Sequence, residues 1–69
     1  MKIVCEELGN NFSDNDIREL FNLKYADSKI DIARVPDRRA KLIEIGFIKL
    51  VGTKFDIKRN TTVKAYSKI

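Results

Sequence analysis

Apolar and polar positions alternate most cleanly from Ile48 to Ile57, IKLVGTKFDI, and the pattern folds back on itself about Gly52-Thr53. With that pair as a two-residue turn, Val51 faces Lys54, Leu50 faces Phe55, Lys49 faces Asp56 and Ile48 faces Ile57. One face is then apolar, and the other carries a Lys-Asp pair of the kind that contributes about 0.2–1 kcal/mol across a strand ladder. Glycine in the first position suits a type II′ turn, whose positive φ matches the twist of the strands. The pattern predicts a hairpin over Phe47–Lys58. A second turn at Arg59-Asn60 and a third strand over Thr61–Tyr66 extend it into a C-terminal meander.

Upstream, helical spacing takes over. Ile17, Leu20, Phe21 and Tyr25 recur on one stripe within Phe12–Tyr25. Ser13 is placed as N-cap, Asp16 answers it three residues on, and Phe12 before the cap can pack on Ile17 as a hydrophobic staple. Asp14 and Asp16 favour the positive end of the helix dipole, and Asp14 can pair with Arg18 one turn later. Asp14-Asn15-Asp16 lacks the downstream glycine and glutamate of a calcium loop and serves as a helix start. A second basic helix is expected over Asp37–Ile45, with Asp37 as cap, Pro36 stiffening the approach and Gly46 closing it in the left-handed region. Its apolar arc is untidy, so a long strand from Ala40 to Val51 competes. Ser28–Val35 reads as a short helix or, by alternation of Ile30 and Ile32, as a strand, and Pro36 ends either one. Met1–Leu8 places Met1, Ile3 and Cys5 on one side of an expected strand, with a short helix as the alternative.

Sixty-nine residues fit a single domain, residues 1–69, which buries only about 60% of the surface its unfolded chain exposes. With 43% apolar and 35% charged residues the balance is that of a globular chain, not a disordered one. No apolar run approaches the roughly 20 residues of a membrane span, and Met1–Gly9 lacks the layout of a signal peptide, which leads us to expect a soluble, cytoplasmic protein without a membrane partner. The one cysteine, Cys5, cannot form an internal disulfide and is flanked by apolar residues that favour burial. There is no histidine, no paired cysteine and no phosphate-cradling glycine loop, so neither an enzyme nor a cofactor is expected.

Charge changes this picture most. Residues 1–31 carry four basic and seven acidic side chains, net −3, whereas residues 32–69 carry ten and three, net +7. A cationic half points to a polyanion partner, because Lys and Arg near phosphates release condensed counterions.

On these residues the chain resembles a winged helix-turn-helix domain. The likeness rests on Asp31-Ile32-Ala33 before the turn at Val35-Pro36, the basic Arg38-Arg39-Ala40-Lys41-Leu42 run, the Leu42–Lys49 junction and the hairpin after it. It covers about half the chain, and the space between Ile32 and Arg38 is shorter than a usual second helix plus turn. The resemblance implies an α+β, winged-helix-like fold, helices followed by a C-terminal β-hairpin or meander, and the function of a small DNA-binding transcriptional regulator. It implies that Arg38, Arg39 and Lys41 read the major groove, where the arginine fork matches guanine O6 and N7. Lys49, Lys54, Lys58 and Arg59 on the wing would meet phosphates. Isolated domains of this kind often need a second copy for adequate grip, so a homodimer is also compatible.

Two alternatives stand beside double-stranded DNA. Ile3–Leu8 with the helix after it, and Ile45–Leu50, resemble parts of an RNA-recognition motif, although Val4 and Ile45 stand where stacking rings belong. A small protein-binding regulator of viral or phage type is the other; there an exposed sheet edge would add to a protein partner's sheet.

Overall fold

The computed structural model describes all residues, 1–69. Its order is α1 (Lys2–Leu8), α2 (Asp14–Lys24), two single 3₁₀ turns (Ala26–Ser28 and Ile32–Arg34), α3 (Val35–Glu44), β1 (Ile48–Asp56) and β2 (Thr61–Lys68). Three helices thus precede an antiparallel pair of strands, an α+β arrangement.

The N-terminal segment is a helix, not the expected strand. Met1, Val4, Cys5 and Leu8 recur at the i, i+3, i+4, i+7 spacing of a helical stripe, and all four join the core, while Ile3 points outward at 55% exposure. The short-range alternation of Met1, Ile3 and Cys5 had masked that longer period. Gly9, at φ 75°, ends α1 and returns its N–H to the Cys5 carbonyl.

Helix α2 forms as its start signals require. The Ser13 hydroxyl accepts from the Asp16 N–H, and the Asp16 carboxylate accepts from the Ser13 N–H at 2.9 Å, a complete capping box. Phe12 and Ile17 are both buried in the core, with Leu20 and Phe21 packed against it. Tyr25 caps the helix, its ring tilted on Phe21 at 4.8 Å between centroids.

Between α2 and α3 the chain is neither the expected short helix nor a strand. The side chain of Asn22 both accepts the Ile30 N–H at 2.7 Å and donates to the Ile30 carbonyl at 3.2 Å. A side chain thereby supplies what a strand partner would, and Ile30 is buried without any ladder.

Helix α3 begins at Val35, two residues before Asp37, so Asp37 is not its cap. Pro36 occupies the first turn, where its missing N–H costs nothing. Gly46, at φ 77°, closes the helix: its N–H reaches the Ile43 carbonyl and the Phe47 N–H the Leu42 carbonyl at 2.9 Å, a Schellman ending.

The largest correction concerns the hairpin. Gly52-Thr53 is not a turn, and the facing pairs built on it, Lys49 with Asp56 among them, do not form. Ile48–Asp56 is one continuous strand that turns over Ile57–Asn60 and pairs with β2, Leu50 opposite Tyr66 and Lys54 opposite Val63. The meander is therefore a two-stranded hairpin. The ladder slips by one residue between Leu50 and Gly52, and Gly52 takes φ 146° at that bulge, so the conformational freedom read as a turn is used for a bulge. The real turn uses Asn60 at φ 52° and the Asp56 carboxylate, which accepts the Arg59 N–H. Register explains the outcome, because this longer ladder carries Ala65 and Tyr66 into the core, and Phe12 then bridges the free edge of β2 through reciprocal bonds with Tyr66.

Candidate nucleic-acid interface

Fourteen lysines and arginines decorate this framework, and six are engaged by carboxylates. Four of the six belong to the residues expected to touch DNA. Arg39 lies with Asp14, Lys54 with Asp16, Lys58 with Glu19 and Arg59 with Asp56. Arg38, Lys41 and Lys49 are exposed and have no ion-pair partner.

Arg39 is turned inward. Its Nη1 donates to the Tyr66 hydroxyl at 2.9 Å and to Asp14 at 3.4 Å, while its guanidinium carbon stands 4.6 Å from the Tyr66 ring centroid. Its Nε lies 3.3 Å from the other Asp14 oxygen, off hydrogen-bonding geometry, so both atoms lack a proper bond. Burial pushes the Asp14 carboxyl above its ordinary range, opposed by the charges of Arg39 and Lys64. Burial also raises the Tyr66 phenol, against the pull of Arg39. This cluster joins α2, α3 and β2 and is a structural brace. Asp14 therefore serves Arg39, not Arg18 as expected.

Lys54 is a second brace. Its ammonium donates to Asp16 at 2.6 Å and to the Asn11 carbonyl at 2.9 Å, fastening β1 to the start of α2. Burial pushes Asp16 up, but the bonds from Lys54 and Ser13 outweigh it and hold the carboxyl below its ordinary range.

Helix geometry divides the basic residues of α3. At about 100° per residue, Arg39 lies about 100° from Arg38 and about 160° from Lys41, so the three cannot share a face. Val35 and Leu42 set the inward side, both buried. Arg34, which sequence reasoning passed over, joins Arg38 and Lys41 at the i, i+4, i+7 spacing of one stripe. The three line an open hollow of about 530 Å³ with Met1, Asp37 and Leu42, beside the start of α1. The outermost side of α3 carries exposed Asp37 and Glu44. The period that places Val35 and Leu42 in the core would have found both the inward Arg39 and the outward Arg34.

The expected single surface of basic helix plus wing is therefore split. The hairpin end, through Lys54 and Lys58, faces the acidic residues Asp16 and Glu19 of α2, which line a separate hollow of about 230 Å³ with it. The free cations Arg34, Arg38 and Lys41 are turned about 100–160° away from Arg39 around the helix axis. Elsewhere, Lys2 and Lys68 approach the Phe47 ring at 5.6 and 5.7 Å. Cys5 is buried, and burial pushes its thiol up to about 11, which keeps it unreactive. The sheet implied by the RNA-recognition likeness is not formed, since Ile3–Leu8 is helical. No helix is long and apolar enough to cross a membrane.

No family model matches the chain, and no curated protein or solved structure matches it.

Proposed function

We propose that the protein binds double-stranded DNA, as a small regulator, through the Arg34–Arg38–Lys41 face of α3. One observation carries this: three cations on one helical stripe border a common hollow, exposed, without a carboxylate partner of their own. Six other cations are held by carboxylates. Lys2, Arg18, Lys29, Lys49 and Lys64 also lack an ion pair, but only Arg34, Arg38 and Lys41 are unpaired cations gathered around one hollow. Arginine is suited to phosphate through its planar fork, and each phosphate neutralised releases counterions.

The order of elements supports the same view. A helix, a bridging residue at Phe12, two helices and a hairpin, with β2 between the Phe12 bridge and β1, agree with what the winged-helix resemblance implies. The turn that the resemblance placed at Val35-Pro36 lies inside α3; with α2 as the second helix, residues 25–34 form a connection longer than the usual turn of about three to four residues. The contact surface is revised: Arg34 enters, Arg39 and Lys54 leave, and Lys58 and Arg59 would have to exchange Glu19 and Asp56 for phosphates.

A protein partner is the second candidate, favoured by Leu50, Val51 and Phe55, all about half exposed along β1, whose outer edge has no strand beside it. Fluorescence anisotropy of a labelled duplex, titrated at several salt concentrations, separates the two. Binding that weakens steeply with salt is expected; no binding at low salt would favour the protein partner. Tighter binding of single-stranded RNA than of duplex would also contradict the proposal.

A further inference from the structure

Asp37 is the anomaly of the cationic hollow. It is exposed, lines the hollow with Arg34, Arg38 and Lys41, and yet lies within 4.0 Å of none of their charged nitrogens. Arg34 precedes it by three residues and Lys41 follows it by four, the two spacings at which helical ion pairs close most readily. Its acceptor oxygens are therefore uncommitted. The ordinary role of an acidic residue in a first helical turn is to favour the helix dipole, which explains its position but not its place among three free cations.

We infer that Asp37 reads a base, accepting a hydrogen bond from the N4 amine of a cytosine in the major groove while Arg34, Arg38 and Lys41 hold the neighbouring backbone. The inference rests on the DNA-binding proposal and deepens it. A carboxylate repels phosphate, so on a polyanion it is tolerated only where it faces a donor. In the major groove guanine offers two acceptors, thymine an acceptor and a methyl group, and adenine an amine beside its own N7 acceptor; cytosine is the base whose own edge presents only an amine. The residue assigned to specificity is thus the acid, and the basic residues around it supply affinity and register.

Selection from a randomised duplex library with the full chain tests this. The wild-type protein is expected to enrich cytosine at one position, and cytosine to thymine there should weaken binding about fivefold to a hundredfold. Asp37→Ala should bind both duplexes with equal affinity, the thymine duplex more tightly than the wild-type protein does because a negative charge is gone, and Asp37→Glu should keep the preference. The thymine substitution is made on the DNA, so its result does not depend on how a variant folds. Wild-type binding without a cytosine preference, or a preference that survives in Asp37→Ala, overturns the inference and leaves the DNA-binding proposal standing. Failure of the wild-type protein to bind any duplex overturns that proposal and this inference with it.

Discussion

The Arg39 guanidinium covers the Tyr66 ring at 4.6 Å and donates to its hydroxyl at 2.9 Å, locking α3 to β2. An arginine side chain only 16% exposed, next to an Asp14 only 26% exposed, is committed to these partners, although both border a hollow of about 300 Å³ with Tyr66 and Lys64. Arg39→Ala leaves that carboxylate without its counter-charge and should lower stability by about 2 kcal/mol in urea unfolding. Arg38→Ala, one residue away on a solvent face, should stay within about 0.5 kcal/mol of the parent. Equal losses from the two would contradict the division of α3.

The Lys54–Asp16 brace predicts a pH dependence with a definite sign. The folded-state pKa of Asp16 is lowered, so its contribution is fully present above the ordinary aspartate value of about 4 and is lost as pH falls through the lower folded value. Asp14 acts in the opposite direction, since its raised pKa makes its ionised form a cost that acid relieves. Thermal melting from pH 6 down to pH 2 should show a decline that is shallower in Lys54→Met. An identical acid profile in that variant would remove Lys54 as the cause.

Gly46 adopts φ 77° where the two bonds of the Schellman ending form. Nothing stands within 4 Å of a Cβ built there, so an alanine would meet no clash and only backbone strain. Gly46→Ala should therefore cost about 1–2 kcal/mol, read by chemical denaturation. A neutral result would mean that the end of α3 relaxes to another conformation.

How much of this was legible in the chain depended on whether local signals agreed. Around α2 they did, because Phe12, Ser13, Asp16 and Ile17 all specify the same start, and the capped helix forms there. Around Gly52 they conflicted. Glycine freedom and cross-strand charge favoured a tight local turn, but burial of Ala65 and Tyr66 is a long-range gain that only the longer ladder delivers. The seven basic residues looked alike for the same reason: sequence gives charge, while tertiary contacts decide which charges are consumed. Asp14, Asp16, Glu19 and Asp56 occupy four of them, and Arg34, outside the expected helix, replaces them as part of the free surface.

The central claim is that the free cations of α3, and not those of the hairpin, meet DNA phosphates. The most direct measurement is the slope of log K against log salt concentration for one duplex, compared between the parent, Arg34→Ala/Arg38→Ala/Lys41→Ala and Lys54→Ala/Lys58→Ala. Each lost phosphate contact should lower the slope by about 0.9, so the α3 triple variant is predicted to lose about 2.7 and the hairpin variant close to none. A slope unchanged in the triple variant, or lowered only in the hairpin variant, would contradict the account.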